Sequence, residues 1–182
     1  KRGAEVISLD DRPNEVDFEK IPLLRTVFKK DGGVTAANAS SINDGAASIV
    51  IGGEDYADQA DFKIVAYASH AHGPEWFTTA PVESIKKCLE KSNLSLNEID
   101  LFEINEAFAV VALHAIKELK LEMDKVNIFG SGISLGHPIG VSGSRIVMSL
   151  MTGLRRLNKR YGLASICIGG GEALSIIIEK VR

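Results

Sequence analysis

The chain has 182 residues, enough for one domain with room for a small extra layer, and such a domain buries roughly 70% of its unfolded surface. Apolar residues make up 45% and charged residues 25%, and a net charge of −3 without a long basic run argues against sequence-independent nucleic-acid binding. Two cysteines, Cys88 and Cys167, exclude a disulfide framework and a Cys-x-x-Cys metal site and fit a reducing compartment, and no apolar stretch nears the ~20 residues that span a bilayer.

Residues 1–33 are charged and weakly periodic and read as an extended arm or loop region ending at Asp31-Gly32-Gly33. From Val34 to Ala47 the composition turns to Ala, Ser, Asn and Gly, small residues that permit close approach of backbone to a ligand or neighbour. The compact domain is therefore expected to run over 34–182. Ser48-Ile49-Val50-Ile51 and residues 63–68 read as strands, joined by a polar segment with room for one helical turn. Thr79-Ala80-Pro81 opens a helix, with Val82, Ile85 and Leu89 on its apolar face, that continues to about Lys91.

Leu101-Phe102-Glu103-Ile104 predicts a short strand, and residues 105–119 a helix apolar on nearly all sides and hence buried. Val126-Asn127-Ile128-Phe129 predicts another strand before a Gly/Ser/His/Pro loop at 130–140. An amphipathic helix follows from Gly143 to about Lys159, its basic end suited to a helix C-terminus. Residues 164–168 and 174–178 predict two strands around Gly169-Gly170-Gly171. The alternation defines an α/β domain: a mixed sheet of about five strands layered with helices.

Three loops end predicted strands, where α/β folds tend to bind ligands. They are Asn105-Glu106-Ala107-Phe108-Ala109, Gly136-His137-Pro138-Ile139-Gly140 and Cys167-Ile168-Gly169-Gly170-Gly171. Together they offer an amide, an imidazole and a thiol beside flexible backbone N–H groups, an inventory for acid–base chemistry next to an oxyanion. Taken singly, Asn105 reads as a helix N-cap and Cys167 as a small inert strand residue, whereas His137, framed by Gly and Pro, is no core-stripe histidine. His70, His72 and His114 are not spaced as metal ligands, and no Rossmann fingerprint, P-loop or nucleophile elbow is present.

In this order and at these distances the three loops resemble the signature segments of the thiolase C-terminal half. Val34-Thr35-Ala36-Ala37-Asn38-Ala39-Ser40 and Asn43-Asp44-Gly45-Ala46-Ala47 resemble the stretch that leads into that half. Residues 15–30, Gly162 to Cys167, and Phe77 where other short-chain thiolases commonly have Met, resemble the mitochondrial acetoacetyl-CoA branch.

The resemblance implies a thiolase-like C-terminal domain that interconverts two acetyl-CoA with acetoacetyl-CoA and free CoA. His137 would activate a nucleophilic cysteine and then donate to the thioester oxygen of the second substrate. Asn105 would hold a water that completes that oxyanion site, Cys167 would move the α-proton of acetyl-CoA, and the Gly169 N–H would form half of a second oxyanion hole. A thiol serves as such a base only with its pKa lowered and the enolate hydrogen-bonded, a service expected of His137 and the Gly-rich turn.

For coenzyme A, a substrate here, the resemblance implies Val16, Asp17, Lys20, Ser40 and Phe77 as binding positions; Glu15 departs from the family's Arg. Ala36, Ala37, Ala39 and Ile133 match positions whose carbonyls bind potassium in the mitochondrial branch, and no redox cofactor is implied. Phe129 stands where the family has Asn, and Ser131-Gly132 where it has Gly-Ala or a similar pair. The resemblance further implies a homo-oligomer in the mitochondrial matrix, without nucleic-acid or membrane partners, and an N-terminal half carrying the nucleophile that this chain lacks. A non-catalytic acyl-CoA or lipid-binding protein on the same fold is the alternative.

Overall fold

The computed structural model describes Val6, Ser8, Leu9 and residues 16–182; Glu15 and the Asp10–Pro13 segment lie outside the described residues. The described chain contains strands β1 (Phe62–Ala71), β2 (Leu101–Ile104), β3 (Tyr161–Ile168) and β4 (Glu172–Lys180). Its helices are α1 (Ala80–Ser92), α2 (Ala109–Leu119), the single turn α3 (Gly132–Leu135) and α4 (Ser142–Arg156). The strands form one mixed sheet in the order β1-β4-β3-β2. β1 and β3 both run antiparallel to β4, and β2 runs parallel to β3.

Period-2 alternation sorts the strand side chains between two cores. Phe102, Ile104, Leu163, Cys167 and Ile177 face α1 and α2, meeting Val82, Ile85, Cys88, Val111 and Ala115. Leu101, Ala164 and Ile178 face α4, meeting Ile146, Leu150 and Leu154, which recur every four residues along that helix. The domain is thus helix, sheet, helix, and the ends of β2 and β3 that carry Asn105 and Cys167 lie side by side.

Four strands are found among the described residues, where about five were expected. Residues 48–51 are not a strand: Val50 is 96% and Ile51 75% exposed, and no backbone pairing partner lies beside them among the described residues. Residues 126–129 contribute one parallel bridge, Val126 to Phe102, before the chain turns at Asn127 with φ 51°. The Asn127 side chain takes over where the strand stops. Its Oδ1 accepts from Ile104 N (2.8 Å), and its Nδ2 donates to Ile104 O and Glu106 Oε1, both at 2.9 Å. Replacing Asn127 by Ala is expected to leave Ile104 N unpaired and Ile104 O with only the longer bond from Ser131 Oγ (3.4 Å), and to cost about 1–3 kcal/mol, read as a lowered denaturant midpoint at unchanged slope.

Helix α2 starts at Ala109, not at Asn105. Asn105 N still bonds Ser165 O (3.0 Å), extending the β2–β3 pairing, and Ala39 bridges Phe108, so residues 105–108 are held extended. Asn105 is therefore not the helix cap. Nor is α2 buried all round: Val110 and Leu113 are about half exposed on its outer side.

Candidate active site

The segment 38–41 stitches the Asn105 and His137 loops together. Ser40 N and Ser40 Oγ both donate to Ala107 O (3.1 and 2.9 Å), Ala109 N donates to Asn38 O (2.9 Å), and His137 N donates to Ser41 O (2.8 Å). The chain reaches His137 through Gly136, whose φ of +89° suits glycine and where a Cβ would collide with the Asn43 side chain. Past Cys167, Gly171 at φ +92° sits against the His72 carbonyl with no room for a Cβ, and it closes the β3–β4 turn through Gly171 N to Ile168 O (3.1 Å).

The tautomer of His137 follows from its neighbour. Ser142 Oγ has one proton and donates it to Pro138 O (3.0 Å). With that proton on Pro138 O, the hydroxyl at 2.6 Å accepts from His137 Nδ1–H, an arrangement that keeps the lone pair on Nε2. Burial, aided by the Arg145 charge, holds the ring below the usual imidazole range, so it is neutral at pH 7. The result is an imidazole ready to take a proton.

Asn105 is fully buried: Arg145 Nη2 donates to its Oδ1 (2.9 Å), and its Nδ2 is buried without a partner in the protein. Nearby, Glu106 is occupied by Asn127 Nδ2 and by Ile133 N (3.3 Å). Glu103, in the middle of β2 on the α4 side, is pushed up to about 8 by burial, against the opposing pull of Arg145. It is a neutral carboxylic acid near pH 7.

Cys167 is 7% exposed, in the core that Ala107, Phe108 and Phe77 pack against. Burial pushes its thiol up to about 11. The lowered pKa expected of a catalytic thiol is absent, because β3 places Cys167 on the apolar α1–α2 face away from any cation. Gly169 is exposed at the open end of the β3–β4 turn, with no neighbour within 4 Å of where a Cβ would stand, so its backbone can be approached.

The remaining positions fall in two groups. Val16, Asp17 and Lys20 lie together on the exposed arm, where Asp17 pairs with Lys20 at 2.9 Å and caps the turn through Glu19 N and Lys20 N. No bond of theirs reaches the catalytic loops. The arm is tied to the domain by Phe28, whose ring meets Phe108 edge-on at 5.6 Å, while Phe77 meets the same ring at 6.2 Å. Ala39 bridges Phe108, and Ile133 N donates to Glu106 Oε2 in the same loop. The turn at 35–38 consumes its own N–H groups through Thr35 and Asn38, and the carbonyls of Ala36, Ala37 and Ala39 accept no bond among the described residues. That donor set fits a weakly held monovalent cation.

The substituted loop is accommodated. Phe129 lies under the Arg156 guanidinium (5.3 Å to the ring centre), Ser131 is fully buried, and a Cβ on Gly132 would stand 2.5 Å from Glu106 O. An open cavity of about 560 Å³ between residues 44–47 and α4 is lined by Pro138, Arg145 and Arg156 but by none of Asn105, His137 or Cys167. Sequence reasoning did not single out Ser142, Arg145, Glu103 or Asn127. Arg145 carried one signal: a cation in the first turn of a helix opposes the helix dipole and needs another reason to be there.

The α/β fold sets a buried amide and a thiol at adjoining strand ends and ties the His137 loop to the first of them through segment 38–41. Comparison with known proteins identifies the family. The family model described as the thiolase C-terminal domain matches residues 59–180, and the thiolase N-terminal domain matches residues 1–55. The chain belongs to the thiolase family. It is 43% identical to a probable acetyl-CoA acetyltransferase of Dictyostelium discoideum, over 99% of this chain and 45% of that protein. It is 46% identical to the mitochondrial acetyl-CoA acetyltransferase of Bos taurus, over 97% of this chain and 42% of that protein. The crystal structure of the Bacillus anthracis acetyl-CoA acetyltransferase superposes with a TM-score of 0.92 at 42% identity, covering 100% of this chain and 47% of that one. Human mitochondrial 3-ketoacyl-CoA thiolase in complex with CoA gives 0.90 at 39% identity, covering 97% and 46%. The chain thus spans about half the length of the relatives it matches, which are mitochondrial and bacterial alike.

Proposed function

We propose that this chain provides the acid–base half of a thiolase active site for reversible condensation of two acetyl-CoA into acetoacetyl-CoA and CoA. The observation that carries the reading is the His137–Ser142 contact at 2.6 Å, which leaves Nε2 of a neutral imidazole free as a base. The nucleophilic cysteine comes from the complementary N-terminal half. His137 Nε2 takes its proton, and the thiolate attacks the first acetyl thioester. The expelled CoA thiolate is protonated by Cys167, whose high pKa keeps it a thiol until then.

Cys167 is now a thiolate of high basicity and removes the α-proton of the second acetyl-CoA. The enolate oxygen is met by Nε2–H of the protonated His137 and by a water held on Asn105 Nδ2. The enolate carbon attacks the acyl-cysteine carbonyl, whose oxygen charge meets the Gly169 N–H. Collapse forms the new carbon–carbon bond and expels the nucleophile. Thiolysis is the reverse, with Cys167 returning the α-proton.

Residues 1–33, with Val16, Asp17, Lys20, Ser40 and Phe77, form the CoA side of this site, and 34–182 the catalytic domain, in a homo-oligomeric enzyme of the mitochondrial matrix. The CoA-bound neighbour structure supports CoA as a substrate, and the mitochondrial relatives support the location. The test joins this chain to a complementary N-terminal half and measures CoA-dependent cleavage of acetoacetyl-CoA. His137→Ala is expected to lower kcat/KM at least about a hundredfold. CoA binding without turnover in the joined protein would instead support a non-catalytic acyl-CoA binder.

Ala36, Ala37, Ala39 and Ile133 would hold a potassium ion that stiffens the loop between the CoA side and Asn105. Replacing potassium by sodium is expected to lower the activity of the joined protein severalfold, and equal rates in the two salts would reduce these alanines to packing residues.

A further inference from the structure

Arg145 presents a problem that the reaction above does not absorb. Its guanidinium is buried enough that desolvation lowers its pKa, and its Nε and Nη1 are buried without partners. Glu103 and Glu106 come near enough to act on it electrostatically, yet neither forms an ion pair with it within 4.0 Å among the described residues. Its one hydrogen bond goes to a neutral amide, Asn105 Oδ1. A guanidinium with two buried, unpartnered nitrogens and no paired anion is unfavourable, and it also stands in the first turn of α4, where the helix dipole opposes it.

We propose that Arg145 is a positioning residue for the enolate site: it fixes the Asn105 amide so that Nδ2 faces the water that meets the reacting oxygen, and its charge strengthens that donor as negative charge develops. The geometry is one-directional. A guanidinium has only donors, so Oδ1 faces it, and the flipped amide would set Nδ2 against Arg145 Nη2, donor against donor. Nδ2 is then the end left over, buried and unpartnered. A positive charge one bond beyond the amide oxygen polarises the amide and sharpens its N–H as a donor. The unpaired cation is complete only when the enolate is present, which is when the site is needed.

The proposal rests on Asn105 serving the enolate oxygen, and a double-mutant cycle in the joined protein tests the two separately. The measurement is deuterium wash-in at the α-carbon of acetyl-CoA, beside the rate at which the nucleophile is acetylated. Asn105→Ala and Arg145→Met are each expected to slow wash-in about tenfold to a hundredfold with acetylation little changed, and the double variant to be no slower than the worse single one. Arg145→Lys, which keeps the charge without the planar fork, is expected to fall between wild type and Arg145→Met. Slow wash-in in Asn105→Ala with a further full loss on adding Arg145→Met overturns the Arg145 proposal alone. Normal wash-in in Asn105→Ala overturns the enolate role of Asn105 and this proposal with it. If Arg145→Met does not fold, a crystal structure of the joined wild-type protein with an enolate mimic decides instead. Arg145 within hydrogen-bond distance of Oδ1 and Nδ2 toward the mimic is expected, and a guanidinium displaced from Oδ1 overturns it.

Discussion

Cys167→Ser, in the protein joined to its N-terminal half, is expected to suppress deuterium wash-in at the α-carbon of acetyl-CoA at least about a hundredfold while acetylation of the nucleophile stays detectable. The two half-reactions call on Cys167 differently. Acyl transfer to the nucleophile needs His137 and the oxyanion donors, and an external acid can protonate the leaving CoA slowly. Enolisation needs a base beside the α-carbon. A serine at the end of β3 would be as buried as the thiol it replaces, and burial raises the pKa of a hydroxyl from a starting value far above that of a thiol. It would never be ionised at neutral pH. The thiol, pushed to about 11, is weakly acidic but can still be discharged by an expelled CoA thiolate in the same site. Wash-in at the wild-type rate would show that another group moves the proton, and Glu103, raised to about 8, would be the first to examine.

How far the sequence reached depends on whether a residue's partner lies nearby in the pattern. Val82, Ile85 and Leu89, and the run from Ile146 through Leu150 to Leu154, declare their helices because a helix buries a face through its own spacing. The strand at 101–104 is legible instead as a short apolar run, buried on both faces. Ile49-Val50-Ile51 has the composition of a strand, but a strand exists only with a neighbour, and this segment belongs to the stretch matched by the N-terminal domain. Val126-Asn127-Ile128 fails differently: one asparagine at φ 51° replaces a strand's backbone bonds with its own amide, which no periodicity can reveal.

The site divides along the same line. His137 is legible as a chemistry-bearing residue framed by Gly and Pro, whereas Asn105 and Cys167 are singled out only by the family pattern. Their supports are not legible. Ser142 reads as an ordinary helix-start serine until its proton is traced to Pro138 O. Arg145 reads as a surface cation until its single bond is found to be with Asn105. Burial also inverted one expectation: the alternation of β3 that makes Cys167 part of the core is what raises its pKa.

The 182-residue chain by itself is expected not to turn over acetoacetyl-CoA. Covalent catalysis divides the reaction into transfer of an acyl group to a cysteine and from it to CoA, and both steps need that cysteine. Cys88 cannot serve, since it lies fully buried on α1, with its Sγ directed at Ser175 O (3.7 Å) and its thiol pushed up to about 11 by burial. Cys167 is equally protonated and stands on the α-proton side of the substrate. At two units above an ordinary thiol, either holds about a hundredfold less thiolate at neutral pH than a free cysteine. The complementary half would also bring a backbone donor to the Gly169 oxyanion hole, a contribution of about 3–4 kcal/mol. The exposed Val50, Ile51, Val110 and Leu113 leave apolar surface in water that such a half would cover. The measurement is a thiolysis assay on the purified chain with potassium and free CoA, run beside the joined protein and cleared of host thiolase. Turnover within about a hundredfold of the joined protein would mean that one of these two thiols, most directly Cys167 beside the Gly-rich turn, accepts the acyl group itself.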